Sequence, residues 1–447
     1  MLIFPASHNH LAASAASVIV AIGLSLSSAQ ASLVISKQAT RNVNCSGGIC
    51  SAVAPDAVLS VNDVKTMLRA GDLTVQAGPA SDIRLSATVK WTKKTLLTLN
   101  AATTITFSAP VRVEGKGSVA LVASEDSFGP RLAFIDKGSV TFLHQKSQLL
   151  INGESYKLAL NLADLNNDFV ANFEGSYALG VDYDAASDGV YQQSPINQIF
   201  SGHFEGLGHI VSNLQINNSG GDYIGLFAEL SRASGTSRIR DIGIKDAKIT
   251  AGGDSCVGGL AGLNQGHVSH VFASGSVVVD GTTLDAGGLI GCNIGSLDEA
   301  QASVDVTGNV AGGLVGILED GDIENSFATG NAQGIVGLNP ALAGGLVGNG
   351  NSGTIASSYS TGQVNSAVTA GGSIGSSFLA TYSDVYWDTT TSGTQVGCGE
   401  GSCAGVTGLT TAQLQAGLPV GFDPSMWKQT AQTNNGLPYL KNVPPPD

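Results

Sequence analysis

Between Ile249 and Trp427 the sequence contains no lysine and no arginine, while acidic residues continue through the same stretch from Asp254 to Asp423. A surface without cations cannot neutralise phosphates, which argues against nucleic acid as a partner and makes an anionic membrane surface a poor one. Charge of either sign is scarce: charged residues are 13% of the chain, about half the usual ~25%. The formal net charge is −14. Beyond the N-terminal segment no continuous apolar run reaches the ~20 residues that a membrane-spanning helix needs, so no integral span is expected. Chemical motifs are missing too. There is no H-E-x-x-H, no P-loop, and no G-x-S-x-G in a strand-to-helix context, which removes the commonest sequence marks of zinc peptidases, phosphate binders and serine hydrolases. The dense glycines give no dinucleotide fingerprint, because no βαβ pattern surrounds them. No cofactor is expected.

Glycine is what the chain has in excess, 59 of 447 residues, nearly twice the usual ~7%. With 43% hydrophobic residues this is no disordered composition; it suits short strands joined by tight turns. The N-terminus has the pattern of a secretory signal over residues 1–31. No charged side chain precedes Lys37, an apolar run covers Leu11 to Leu26, and Ala29-Gln30-Ala31 supplies a cleavage site after Ala31. His8 and His10 stand where lysine or arginine is usual. The protein is therefore expected to be secreted or at the cell surface, with the periplasm as the alternative. Six cysteines agree with an oxidising compartment. Cys45 and Cys50 in CSGGIC, and Cys398 and Cys403 in CGEGSC, form two local pairs expected as disulfides. Cys256 and Cys292 sit at different phases of the repeat described below and are expected as separate buried thiols.

The order of elements follows from patterning. Residues 32–58 form a linker carrying the first cysteine pair. Over 59–199, Leu59 to Asp72 is expected as a helix, with Ser60 as N-cap, Gly71 as its stop, and an apolar face of Val64, Met67 and Leu68 that could cover the end of a stacked sheet. TLLTL, TITF, VRVEG, SVALV, RLAFI, SVTF and QLLING then read as short strands with one buried face, and the absence of a clear Asn-Gly hairpin favours parallel coils. A short helix is expected from Leu162 to Phe169. Over 200–384 the chain repeats itself: GGLAG (Gly258, Gly259, Leu260, Gly262), GGLIG (Gly287, Gly288, Leu289, Gly291), GGLVG twice (Gly312, Gly313, Leu314, Gly316; Gly344, Gly345, Leu346, Gly348), and a weaker GGSIG at Gly371. Successive starts are 29, 25, 32 and 27 residues apart, and Phe272, Phe327 and Tyr359 fall 14 or 15 residues after their leading glycine. A period of this size is one coil of a solenoid, with the leucines inward and the aromatics aligned. The glycines answer either a positive φ or a close approach of coils. Residues 385–447 form a closing segment with a short helix capped by Thr410 and Gln413 and stopped near Gly417. The fold class expected is all-β, a right-handed parallel β-helix (solenoid) with an N-terminal helical cap.

The phrase G-G-L-x-G followed by N-S-aromatic-x-T-G resembles the GLUG repeat of secreted bacterial β-helix proteins, including filamentous-haemagglutinin-type adhesins. FSGHFEGLGHIVSNLQI, from Phe200 to Ile216, resembles the element that precedes such repeats, and Val385 to Leu440 resembles the segment that closes them. WTKKTLLTLNAATTITF is similar to their strand-rich upstream part. No two-partner secretion domain is evident. The resemblance covers most of the chain after about residue 55 and implies an extracellular or surface location. It also implies adhesion or structure as the role, with a host or matrix glycan or protein as partner. A monomer is expected.

Candidate chemistry is thin. His203, Glu205 and His209 in HFEGLGH have weak metal-ligand spacing, and His267 and His270 are expected at the surface. Asp164, Asn166 and Asp168 open like a calcium loop but lack its glycine, so a helix is expected. Glu319, Asp320, Asp322 and Glu324 make the densest carboxylate group, expected as a solvated turn, with weak surface calcium binding as the alternative because no nearby cation compensates the charges. Asp182, Asp184 and Asp188 are the best carboxylate pair for glycoside chemistry. No metal site and no catalytic residue is assigned. An adhesive or structural surface protein is expected, with a carbohydrate-active β-helix enzyme as the alternative.

Overall fold

Alternation of apolar and polar residues decides the core. In Leu96–Asn100 and Ser118–Val122 the residues Leu97, Leu99, Val119 and Leu121 are fully buried. Parallel pairing sets Val119 against Leu97 below and Leu149 above, so like side chains stack along the fold axis. The computed structural model describes residues 32–443 apart from 79–80, 233–236, 253–255, 281–284 and 338–340. The signal expected over 1–31, with its cleavage after Ala31, lies outside the described residues. The chain forms a parallel β-solenoid of about 13 turns in two stacks.

Helix α1 (Val61–Ala70) opens the first stack. The Ser60 side chain accepts from the Asn62 N–H and the Gly71 N–H donates to the Met67 carbonyl, which terminates the helix. Val61, Val64 and Leu68 are buried, and the helix packs against Val89–Trp91, the edge strand of its sheet. Residues 32–58 are no linker. Ser32–Ser36 pairs on both sides, with Ala57–Ser60 and with Asp82–Leu85, because Leu33 and Ile35 supply a buried face. The following hairpin, Val43–Ser46 with Ile49–Ala52, carries the Cys45–Cys50 disulfide.

An Asn-Gly hairpin does exist, inside QLLING. Gln148–Ile151 and Glu154–Ala159 run antiparallel, joined by Asn152 and Gly153 at φ 49° and 85°, the conformation that primed two-residue turns require. The two stacks therefore meet here, and the boundary expected at 199/200 falls within the second stack. The turn also swaps the core. Tyr156, Leu158 and Ala178 face the core of the first stack, whereas Ala159, Tyr177 and Leu179 face that of the second. One pair of strands thus serves as a shared wall. Beyond it, helix α2 (Leu162–Ala171) buries Leu162, Leu165 and Phe169. Phe169 stacks on Phe200 at 4.5 Å, covering the edge strand Ile196–Phe200.

The repeating coil consists of a short strand ending on the first motif glycine, a four-residue strand and a long strand, as in Asp285–Gly287, Ile290–Asn293 and Ser296–Gly308, and the long strand breaks into shorter pieces from Asp322 onward. Leu260, Leu289, Leu314 and Leu346 are fully buried. None of the GGLxG glycines has a positive φ; what they share is close approach. A Cβ on Gly312 would stand 1.8 Å from the Val315 carbonyl oxygen across the corner, and one on Gly313 2.2 Å from the Gly345 carbonyl oxygen of the next coil. Gly312→Ala is expected to cost more than the about 1–3 kcal/mol usual for overpacking, since backbone cannot step aside. Thermal melts would check this; an unchanged Tm would refute the packing account.

Candidate functional site

Six successive coils each hold a left-handed residue at the same register of the sheet. Asp241, His270, Glu299, Asn325, Ser357 and Asp384 have φ of 57°, 53°, 44°, 44°, 46° and 55°, and parallel register stacks them coil upon coil. Left-handed backbone favours small polar side chains after glycine. The result is a polar ladder on the flank of the second stack.

Its first rungs are ionic. His270 Nδ1 lies 3.2 Å from Asp241 Oδ1, and Nε2 lies 3.3 Å from Glu299 Oε1. Burial would lower the His270 pKa, but Glu299 and Asp241 outweigh it and raise it to about 10. The imidazole is thus a cation held between two carboxylates. Arg240 Nε donates to Asp241 Oδ2 at 2.8 Å and stands 3.6 Å from Glu205 Oε2. Burial would raise Asp241, yet Arg240 and His270 hold it well below the usual carboxylate range. Glu205 goes the other way: burial, then the neighbouring Asp241 charge, push it far up, and the two carboxyls share a hydrogen bond. One guanidinium therefore serves Asp241 first, and Glu205 holds a proton more tightly than an ordinary carboxyl. Arg240 also reaches the carbonyl of Leu132 at 3.3 Å, tying the second stack to the first. His270, expected at the surface, is only 14% exposed, because the left-handed bend turns it into this cluster.

The aromatic column lies two residues beyond the ladder. Register runs Gly243, Phe272, Gln301, Phe327, Tyr359, Tyr386, so Gln301 interrupts the expected line and Tyr386 extends it. Phe327 and Tyr359 stack at 5.0 Å. They form no open face. The closing segment folds back over them: Trp427, Phe422, Leu414, Leu437 and Leu440 bury the rings, and the Tyr359 hydroxyl donates to the Pro438 carbonyl at 2.6 Å. Helix α3 (Thr411–Leu414) has the Thr410–Gln413 capping box. The segment grips the ladder as well. Trp427 Nε1 donates to Asn325 Oδ1 at 3.4 Å, Ser357 Oγ to the Gly421 carbonyl at 3.0 Å, and Asn442 Nδ2 to Glu299 Oε2 at 3.1 Å.

Other candidates are dispersed. His203 contacts Glu154, His209 contacts Asp182 and the Val140 carbonyl, and Glu205 belongs to the buried cluster. Asp182, Asp184 and Asp188 serve His209, Asn213, and Tyr183 with Tyr191 respectively, so they form no working pair. Asp164 and Asp168 sit in helix α2. Glu319 and Asp322 accept from Asn351 and Thr354 of the next coil. Cys398 pairs with Cys403 in the last turn. Cys256 and Cys292 are not separate thiols but a disulfide. The bridge joins successive coils: a residue two before the first glycine of one motif meets a residue five after the first glycine of the next. Among the described residues, only these cysteines and Asp285 bring three metal-ligating atoms within 4.8 Å, and the disulfide occupies two of them. Burial and Glu319 raise Asp285 to about 7.

Where the ladder meets the first stack there is a cleft of about 490 Å³. The turn Asp136-Lys137-Gly138 forms one wall, and Thr433, Tyr439, Asn442 and Val443 the other; Ile210, Lys245, His270 and Phe272 lie between.

A parallel stack with a glycine corner in every turn and a polar ladder beside it defines the class, a repeat β-solenoid. The GLUG motif family matches residues 253–278 and 308–333, two stretches within the part of the chain that carries the glycine corners. The chain is 34% identical over 146 residues to halomucin of Haloquadratum walsbyi, an alignment of 29% of this chain and 2% of that protein. The chain thus spans only a small part of the length of that relative. A solved structure from Bacteroides ovatus, provisionally designated an immunoglobulin A1 protease, is similar with a TM-score of 0.50 and 20% identity over 65% of this chain and 93% of that one. That likeness is one of fold.

Proposed function

We propose that this is an exported, surface-associated adhesive or structural protein that works through its long solenoid face. The observation that carries this is the register itself. Parallel register stacks one coil directly on the next, so the solenoid offers a long, regular face along one axis. The secretory signal expected at the N-terminus, the three disulfides and the GLUG repeats support an oxidising, extracellular setting. No helix among the described residues is long and apolar enough to cross a membrane.

Glycoside chemistry is the weaker alternative. Asp241 and Glu299 flank a common point, as a carboxylate pair must, but the imidazole of His270 fills that point and is ion-paired with both, while Arg240 takes up the second charge through Asp241. Cell fractionation combined with a binding screen against glycans and matrix proteins tests the proposal. Recovery at the surface or in the medium, with at least one ligand, is expected; recovery only from the periplasm with no ligand would overturn it.

A further inference from the structure

We propose that the cleft between a column of hydroxyl residues and the closing segment binds a neutral oligosaccharide lying along the solenoid axis. The ligand class rests on the surface-binding function proposed above, whereas the cleft rests on geometry alone.

Two residues beyond the aromatic column, parallel register sets Ser303, Thr329, Thr361 and Asp388 one above another. Residues two apart on a strand share a face, so these side chains stand on the outer face beside the rings. The closing segment covers the rings, but Ser303, Thr329 and Thr361 stay half-buried. They line a cleft of about 620 Å³, with Gln432, Asn434 and Asn435 on its far side. That volume lies in the ~300–1,000 Å³ range of small-ligand sites. Successive coils repeat at ~4.8 Å, so the three hydroxyl residues span about 10 Å, which suits a ligand of more than one ring.

The far wall is set before any ligand arrives. Asn434 and Asn435 hold a left-handed turn, with φ of 50° and 53°. Asn434 Nδ2 donates to the Tyr359 hydroxyl and to the Pro438 carbonyl, both at 2.8 Å, and Gln415 Nε2 donates to the Asn435 carbonyl at 2.8 Å. A wall fixed in this way needs little ordering on binding.

Hydrogen-bonding capacity and charge together select the ligand. Ser303 Oγ and Thr329 Oγ1 lie 2.7 Å apart; one donates to the other, so a proton and several lone pairs remain for a ligand. Among the described residues, the Thr361 hydroxyl and the side-chain amides of Gln432 and Asn435 have no hydrogen-bond partner. Hydroxyls and amides both donate and accept, as sugar hydroxyls do. Asp388 is the single charged side chain of the lining. Its carboxylate already accepts from the Thr411 hydroxyl at 2.5 Å and the Thr390 N–H at 2.8 Å. No lysine or arginine lines the cleft, and Asp305, two residues after Ser303, adds a further negative charge. An anion would meet negative charge with no cation to offset it. An uncharged polyhydroxyl ligand meets no such barrier.

The test is calorimetric titration of the full-chain protein with linear tetrasaccharides of glucose, mannose and N-acetylglucosamine, and with tetragalacturonate as the charged control. One-to-one binding of at least one neutral tetrasaccharide is expected, unchanged by salt because no charge takes part. Tetragalacturonate should bind at least about tenfold more weakly. Thr329→Val keeps the branched side chain and removes the hydroxyl; Asn435→Gly removes the amide and still accepts the left-handed backbone. Each should weaken binding about tenfold, the upper range for one neutral hydrogen bond. Asn435 is exposed, so its variant will fold even where Thr329→Val does not. Failure of all three neutral tetrasaccharides to bind, tighter binding of tetragalacturonate, or wild-type affinity in both variants would overturn the assignment. Such a failure leaves the surface role standing if fractionation and the screen succeed with another ligand. Failure of fractionation leaves binding by the purified protein untouched.

Discussion

Replacing His270 with alanine is expected to destabilise the protein by about 3–5 kcal/mol, the range for removing one partner of a buried ion pair. The loss arises because Asp241 and Glu299 would remain buried without the cation between them. Arg240 still serves Asp241, and Asn442 still donates to Glu299, so Glu299 suffers most. The pH dependence gives an independent signature. The folded pKa of about 10 exceeds the unfolded value of about 6.5, so the native state holds a proton that the unfolded chain releases between them. The stabilisation is complete below pH about 6.5 and is lost as pH rises towards about 10. Denaturant melts from pH 6 to 10 should show this decline in the wild type and lose most of it in His270→Ala. A wild-type stability flat over that window would refute the ionic assignment. His270→Gln, neutral but still able to donate, should lie between the two.

That cluster shows where the sequence was silent. The coil was legible because its causes are local and repeated: an inward leucine, a corner too tight for a Cβ, an alternating strand. The ladder was hidden because its rungs differ in identity, and the preference of Asp, Asn and His for a left-handed φ is too weak to mark a single position. A signal was nevertheless present. Each rung stands two residues before the aromatic phase, in D-I-G, H-V-F, E-A-Q, N-S-F, S-S-Y and D-V-Y, so aligning the repeats on Phe272, Phe327 and Tyr359 exposes a polar column at one offset. The Cys256–Cys292 bridge was missed for another reason. Phase along the repeat does not measure distance when two residues belong to successive coils. The hairpin at Asn152-Gly153 was overlooked although its dipeptide is the strongest short-range turn signal; the flanking strands resemble those of ordinary coils. The buried aromatic column could not be foreseen from its own repeats, since the segment that covers it lies farther along the chain.

That covering segment is the subject of the second large effect. Trp427→Ala is expected to cost about 3–5 kcal/mol, the usual range for emptying a buried tryptophan site. Trp427 is almost fully buried, contacts Phe422, Tyr359 and Phe327 at ring distances of 4.4, 5.9 and 6.0 Å, and donates to Asn325. Its loss removes the keystone between segment and ladder, but none of the hydrogen bonds between coils. The coils from Val257 to Val385 keep their own core of inward aliphatic side chains. Unfolding should therefore be local: the closing segment loosens while the solenoid persists. Limited proteolysis should cut Trp427→Ala between Thr410 and Val443 under conditions that leave the wild type intact. Amide exchange in Val315–Leu318 should stay slow, and a fluorescent apolar dye should bind the uncovered Phe327 and Tyr359. If exchange instead accelerates equally in both regions, the segment is an integral part of the cooperative unit. The variant also separates two uses of the column. Were the covered rings a second ligand surface, uncovering them would strengthen binding in the glycan screen. On the present geometry they are the glue of a flank, and uncovering them should add only non-specific adsorption that salt does not weaken, because no charge takes part.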